Sequence, residues 1–383
     1  MKVVNTRGIK EKILSYLEKQ QIERYIAETI TGPISSEGLQ YSDEMKLEEL
    51  ANKFLEHASD WGEAYTYDEA MITTILMTLV KEHPPKNHEE MVPVYESIVR
   101  NGRIFHGDDF SKDPYLDRIW IGGESSGNYT YSNQSFERNE LFIYDSPVDT
   151  GNGIRIPKIG IFDQGYNYPF LSKGDAGICG ITPYLVYTTE SHIEKASGKV
   201  LNLGCGMGYF AYRAHLKEDV ECVTVVEKQP EKLELFQRYV LPQFDHPEKI
   251  EVIGQDPVVF MENVPDGRYD HCFADICVNN TDLQPYFQVK KSCRKYNKTK
   301  MSFWIEDSLV DTLKNMVFLE ILAAAKESMG LSGSVYDEIT PEGEQVLNIL
   351  QTTVLAKEEI TRPDHFDWYM KTENVIKLIL DRM

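Results

Sequence analysis

Three glycines fall within five residues in the run Leu203-Gly204-Cys205-Gly206-Met207-Gly208, directly after the apolar stretch 199–203 and directly before the helix-forming stretch 208–217. Glycine permits positive φ and lets a ligand lie against bare main chain. A strand-to-helix turn of this kind delivers that ligand to a helix N-terminus, where unpaired N–H groups point outward. Three carboxylates recur further on. Glu227 ends "CVTVVE", nineteen residues beyond Gly208; Asp256 follows "IEVIGQ"; Asp275 follows "YDHCFA". An ionised carboxylate has two acceptor oxygens, so an acid at the tip of a second strand can accept both hydroxyls of a ribose. Asp256, followed by Pro257, can accept from an exocyclic adenine amine and can equally cap the helix that begins beside it. Asp275 is either a site residue or a structural hydrogen-bond partner for a neighbouring loop. All three acids read as ends of strands at the C-terminal edge of one sheet, where open α/β sheets bind ligands.

Other chemistries fit the turn poorly. A phosphate-binding P-loop closes on Gly-Lys-Ser/Thr, whereas Met207, Gly208 and Tyr209 stand here. A dinucleotide fingerprint requires a third glycine where Tyr209 lies. Cysteines 179, 205, 222, 272, 277 and 293 form no C-x-x-C pair and no His/Cys group with zinc spacing, so no metal is expected. They read as reduced, mostly buried thiols of a cytoplasmic protein. Cys205 lies within the turn, with packing as its main role. His271 reads as a satisfied core histidine, and His215, on the helix after the turn, is expected to face solvent.

These residues need a regular scaffold, and the chain supplies one from residue 199 onward. Apolar runs predict strands near 199–203, 222–227, 250–254, 269–275 and 301–305, with helices at 208–217, 230–241, 257–263 and 282–296 between them. This alternation implies a parallel sheet covered by helices on both faces. Residues 9–100 carry helical periodicity, with Asp68 as a candidate N-cap and Pro84-Pro85 as a stop. From 101 to about 170, short runs separated by Gly, Asn, Pro and Ser predict strands and turns. Helices are expected at 308–329, 341–356 and 366–382. The expected units are thus a helical region over 1–100, a β-containing lid or substrate segment over 101–195, a ligand-binding α/β domain over 196–330, and a helical extension over 331–383.

The formal net charge is −21. Such a balance opposes binding to phosphate backbones and favours a small neutral or cationic substrate over a nucleic acid. The longest apolar stretches, 71–80 and 316–325, are too short to span a bilayer, so no membrane partner is expected. The N-terminal residues read as no signal peptide. The 1–100 region suits a lid or a homodimer contact.

At this point "VLNLGCGMG", "VTVVE", "GQDP" and "YDHCFADI" resemble, in order, the motifs of class I S-adenosylmethionine-dependent methyltransferases. The resemblance covers about 196–305, and "VTVVEKQPEKLELFQRYVLPQF" is also similar to the spermidine synthase branch of that fold. It implies a Rossmann-like parallel sheet of methyltransferase type, with S-adenosyl-L-methionine as cofactor. It further implies that Gly204, Gly206 and Gly208 face the methionine part, Glu227 holds the ribose and Asp256 meets the adenine. "GICGITPYLVYTT" (177–189) stands where many of these enzymes close a segment over the cofactor. The chain departs from the pattern in two places. Asn202 replaces the usual acid two residues before the first glycine, keeping hydrogen-bonding capacity without charge. The usual final antiparallel strand pair is not visible after 306, so the sheet is expected to be shortened.

Methyl transfer from a sulfonium is an in-line displacement in which the protein chiefly aligns the reactants, an effect worth about 7–11 kcal/mol. The Asn/Asp-Pro-Pro-aromatic stretch of base-amine enzymes is missing from "DICVNNTDLQPYF", and "FWIEDS" lacks the double-glutamate loop of protein-arginine enzymes. A small-molecule acceptor remains. Asp275 is expected to align it, with Asn280, Asp282 and Tyr286 beside it; for Asp282 a helix cap is an equal reading. Aminopropyl transfer of the spermidine synthase type, or cofactor binding without catalysis, are the alternatives.

Overall fold

Five apolar runs form one all-parallel sheet in the computed structural model, which describes residues 1–37, 44–60, 64–82, 84–85, 88–277, 283–336 and 341–382. The strands are β1 (Gly198–Leu203), β2 (Val220–Glu227), β3 (Ile250–Gly254), β4 (His271–Ala274) and β5 (Lys300–Phe303). Their order is β3-β2-β1-β4-β5. Central strands of such a sheet are buried on both faces and therefore read as unbroken apolar runs. Val200, Leu203, Val223, Val225 and Val226 are all fully buried. The chain runs outward in one direction from β1 to β3 and in the other from β4 to β5, so the order reverses between β1 and β4. Open α/β sheets bind ligands at that reversal.

Register sets the candidate residues level with one another. Leu203 pairs with both Val226 and Ala274, which places Gly204, Glu227 and Asp275 at one edge; Glu227 pairs with Gly254, which places Asp256 two residues beyond. The linking helices are α2 (Tyr209–His215), α3 (Pro230–Leu235), α4 (Pro257–Asn263) and α5 (Leu283–Ser292), with α1 (Pro183–Lys195) preceding β1. Pro230 and Pro257 stand at first helical positions, where a missing N–H costs nothing. The stretch expected as one helix over 230–241 changes to a π-helical turn at Phe236–Val240. After β5 the long helix α6 (Glu306–Ser328) follows, and among the described residues no strand pairs with the outer edge of β5. The Rossmann-like sheet is thus short at that edge.

The middle segment builds two small sheets. One orders Arg103–Phe105, Arg155–Phe162 and Phe142–Asp149; the other orders Ser125–Ser126, Tyr129–Phe136, Tyr166–Lys173 and Ala176–Gly180. An aromatic cluster of Phe105, Phe142, Tyr144, Phe162 and Tyr166 packs between them. Tyr115, fully buried, donates its hydroxyl to the Met207 carbonyl, and Asp113 accepts from Tyr209 and Arg213 at 2.9 and 2.7 Å. The middle segment is therefore fastened to the glycine turn and to α2.

Several expectations are corrected by packing. The first hundred residues are not one unit: Lys2–Val3 pairs in parallel with Glu359–Ile360, and Ile9 and Ile13 share a core with α5, α6 and the C-terminal helices. Residues 331–383 join the same core and are no mere extension. Thr66, not Asp68, caps the helix Tyr67–Glu82. Its hydroxyl accepts the Glu69 N–H at 3.2 Å while the Glu69 carboxylate accepts the Thr66 N–H at 2.7 Å, a reciprocal capping box. Asp68 instead accepts from the Ile104 N–H at 3.3 Å. The helix expected over 366–382 is two, Pro363–Tyr369 and Thr372–Arg382. His215 is fully buried, because residues following α3 wrap back over α2 and stack Phe244 on the imidazole, ring centroids 4.7 Å apart. His271 is buried as expected, its Nε2 3.0 Å from Ser302 Oγ, but its Nδ1 has no hydrogen-bond partner among the described residues.

Phe236 lies with no exposed surface between the glycine turn and Phe244. Phe236→Ala is expected to lower stability by about 3–5 kcal/mol, the cost of a large core cavity. Chemical denaturation measures this, and a loss below 1 kcal/mol would mean that the turn is not braced by this ring.

Candidate functional site

A cavity of about 390 Å³ opens over the C-terminal edge of the sheet. This lies within the roughly 300–1,000 Å³ typical of small-molecule sites. Its floor is made by Asn202 and the turn Gly204–Met207, by Glu227, Lys228 and Gln229 after β2, by Asp256–Val258 after β3, and by Asp275–Cys277 after β4. Facing the floor are Ile178, Cys179, Gly180, Thr182, Tyr184, Leu185 and Thr189, together with Tyr129 and Trp304. The 177–189 stretch singled out in the sequence thus forms the opposite wall. A wider groove of about 680 Å³, lined by charges of both signs including Arg155, Asp311 and Asp381, shares no residue with this cavity.

The three glycines divide by role. Gly204 (φ 86°) has the Asp275 carbonyl oxygen only 1.9 Å from where a Cβ would stand, so the two loops approach too closely for any side chain. A Cβ on Gly206 (φ 50°) would have Asp275 Oδ2, at 3.4 Å, as its one neighbour within 4 Å among the described residues, and this bare face opens into the cavity. Gly208 (φ 82°) begins α2 and does not line the cavity. A Cβ there would lie 2.7 Å from the Phe236 ring, and the expected contact with a ligand is corrected to a packing role. Asn202, buried, donates its amide to the Gly204 carbonyl at 2.9 Å and so latches the turn.

Glu227 is buried and heavily used. Its Oε1 accepts the Gln229 N–H at 2.8 Å; its Oε2 accepts the Cys205 N–H at 3.3 Å and lies 2.9 Å from Lys232 Nζ. Burial acts to raise its pKa, but the Lys232 ammonium and those N–H groups outweigh burial and hold the carboxyl below its ordinary range. The Cys205 thiol also points to Glu227, at 3.5 Å, and burial pushes its pKa far up, so it packs rather than reacts. Asp256 lines the cavity while its Oδ1 accepts from the Val258 and Val259 N–H groups at 2.8 and 3.3 Å, capping α4; Pro257 lines the cavity beside it.

Asp275 borders the cavity next to Gly206, and its carboxylate accepts no hydrogen bond among the described residues. Burial raises its pKa from 3.8 to about 6, with Lys232 partly countering and Glu227 adding to the rise. Asn280 and Asp282 lie outside the described residues. Tyr286 is corrected: it is buried in the core, its hydroxyl donates to Glu306 Oε1 at 2.7 Å, and it does not reach the cavity, whereas its helix neighbours Pro285 and Gln288 do.

Sequence reasoning missed Lys232 and Trp304. Lys232 is a third-position residue of a polar-looking helix start, and nothing local signals that its side chain folds back over the tip of β2. Trp304, just beyond β5, donates its indole N–H to Thr188 at 2.9 Å and so ties the sheet edge to α1. No histidine lines the cavity among the described residues, and no group of acids, cysteines and histidines there could hold a metal. All six cysteines are free thiols, and no helix among the described residues is long and apolar enough to cross a membrane. The arrangement suits binding and alignment of a hydroxylated, polar ligand more than acid–base relay chemistry.

No family model matches the chain. No curated protein matches it. Solved structures show distant likeness. Spermidine synthase from Thermotoga maritima is 16% identical over 36% of this chain and 52% of its own, with a TM-score of 0.25. A probable spermidine synthase from Corynebacterium glutamicum is 11% identical over 46% of this chain and 60% of its own, with a TM-score of 0.29. The Trypanosoma brucei PRMT1 enzyme-prozyme heterotetrameric complex with AdoHcy is 21% identical over 30% of this chain and 36% of its own, with a TM-score of 0.23. The chain thus spans about half the length of the first of these structures. Such values transfer no property to this chain, whose fold is defined by its own strand order.

The Asp275 pKa carries a stability signature. Its folded value lies above its unfolded one, so the fold binds more protons than the unfolded chain between about pH 4 and 6, and stability falls as pH rises through that window. Asp275→Asn removes the titration. The variant is expected to gain about 1–3 kcal/mol relative to wild type between pH 4 and pH 8, read by urea denaturation. A difference that does not change with pH would contradict a half-buried carboxylate that accepts no hydrogen bond among the described residues.

The glycines separate in the same assay. Gly208→Ala is expected to cost more stability than Gly206→Ala, because both residues have positive φ but only the first meets a ring. Equal losses would mean that Phe236 gives way freely.

Proposed function

We propose that this protein binds S-adenosyl-L-methionine over the glycine turn and transfers its methyl group, in line, to a small-molecule acceptor. One observation carries the reading: Glu227, Asp256 and Asp275, at the ends of three strands, border a single cavity floored by the bare face of Gly206. The donor set fits this cofactor. Glu227 is ionised and keeps acceptor capacity for ribose hydroxyls, Asp256 and Pro257 border the place for an adenine, and Gly204, Cys205 and Gly206 leave room for the methionine part. The bound cofactor supplies an activated methyl on a sulfonium.

What the chain's own residues do is align and shield. The wall of Tyr129, Ile178, Tyr184, Leu185 and Trp304 is apolar and aromatic, which favours an acceptor with an apolar or aromatic body and excludes bulk water. Asp275, with its pKa near 6, stands beside Gly206 and is placed to accept a proton from an acceptor hydroxyl or amine as it attacks. No histidine base is needed when the leaving group is already good.

Calorimetric titration with S-adenosylmethionine, its decarboxylated form and 5′-methylthioadenosine tests the reading. Preference for the intact form supports methyl transfer; preference for the decarboxylated form would make the reaction aminopropyl transfer; no binding of any of them rejects both. Glu227→Ala is expected to weaken cofactor binding by about 1.5–3 kcal/mol, the worth of charged hydrogen bonds. Asp275→Asn is expected to cut turnover at least tenfold more than it alters cofactor affinity, because it acts on the acceptor. Equal loss of both would make Asp275 a cofactor ligand instead.

A further inference from the structure

Lys232 lines the cavity and has no part in the binding of ribose, adenine and acceptor described above. Its ammonium sits 2.9 Å from Glu227 Oε2, and both side chains are largely covered, 15% and 4% exposed. Burial pulls its pKa down, yet the ionised Glu227 carboxylate beside it outweighs burial, so the charge is retained. An ammonium has three N–H donors. Glu227 is its only ion-pair partner among the described residues, so two of the three donors have no ion-pair partner there, and the residue lines the cavity.

The charges that line the cavity make this cation distinctive. Glu227, Asp256 and Asp275 are acids; Lys228 is exposed at the rim; Lys232 is the one cation held inside among the described residues. A cavity of about 390 Å³ keeps every ligand charge within roughly a Debye length, ~8 Å, of these groups. Intact and decarboxylated adenosyl donors share the nucleoside, the sulfonium and the terminal ammonium. They differ by one carboxylate. Three acids repel that carboxylate, and Lys232 attracts it.

We propose that Lys232 is the specificity-determining residue that makes the site select a sulfonium donor bearing a carboxylate over the same donor without one. This inference rests on the adenosyl-cofactor reading above. Without the ammonium, an acid-lined cavity would favour the more cationic, decarboxylated donor, and the site would suit aminopropyl transfer better than methyl transfer.

The test compares wild type with Lys232→Met, measuring dissociation constants for S-adenosylmethionine, decarboxylated S-adenosylmethionine and 5′-methylthioadenosine, which lacks the amino-acid end. Freeing Glu227 alters ribose binding for all three ligands and also leaves an unpaired negative charge that acts on the ligand carboxylate, an effect that the double variant Glu227→Gln/Lys232→Met removes. The preference for the intact donor over the decarboxylated one is expected to fall at least tenfold in Lys232→Met and to survive in Lys232→Arg. The double variant Glu227→Gln/Lys232→Met leaves no unpaired charge, so it provides the same ratio if the single variant does not fold. A ratio unchanged within twofold, with the nucleosides still bound, overturns the role of Lys232 and leaves the cofactor reading standing. Failure of wild type to bind any of the three overturns both.

Discussion

The rest of the site depends on the close approach of two backbones at the point where the sheet reverses direction. The loop after β1 and the loop after β4 pass so near each other that the Asp275 carbonyl fills the place of a side chain on Gly204. One backbone hydrogen bond joins them, from the Asp275 N–H to the Leu203 carbonyl, and another holds the turn to β2, from the Gly204 N–H to the Val226 carbonyl, each at 2.8 Å. With the loops fixed in this way, the Asp275 carboxylate has little choice but to lie beside Gly206. A carboxylate so placed, accepting no hydrogen bond among the described residues, carries a desolvation cost that shows in its raised pKa.

A second constraint comes from charge. The Glu227–Lys232 pair is largely buried, and buried pairs are costly unless their geometry is good and their other hydrogen-bonding groups are satisfied. Glu227 meets that condition through the Gln229 and Cys205 N–H groups; Lys232, which lines the cavity, has Glu227 as its one ion-pair partner among the described residues. The site is thus prepared for a ligand that brings both hydroxyls and acceptors. The middle segment closes it from above. It is held there by Tyr115 on the Met207 carbonyl, by Asp113 on Tyr209 and Arg213, and by Thr188 on Trp304. The middle segment is therefore fastened to the glycine turn, to α2 and to the sheet edge at β5.

Much of this was legible in the sequence because parallel strands buried on both faces leave plain apolar runs. The third strand agrees with its expected range residue for residue, the other four deviate by a few residues at most, and the acids at their ends follow from that register. What the sequence hid is tertiary. Gly208 looks like its two neighbours in a G-x-G-x-G run, and only the Phe236 ring shows its different task. His215 and Tyr286 carry polar atoms on helices whose outer faces are covered by distant segments. Lys232 reads as a solvated lysine until its side chain is seen folded over the tip of β2. The first helix shows regular periodicity but gives no sign that its partners lie some three hundred residues away, as Tyr16 on Phe318 does at 4.3 Å between ring centroids.

The most direct test of the central claim is a crystal structure of the protein grown with S-adenosylhomocysteine. The account predicts the nucleoside in the cavity over Gly206, its ribose hydroxyls on Glu227 and its adenine beside Asp256 and Pro257. A ligand found instead in the charged groove by Arg155 and Asp381, or no ligand at saturating concentration, would contradict it.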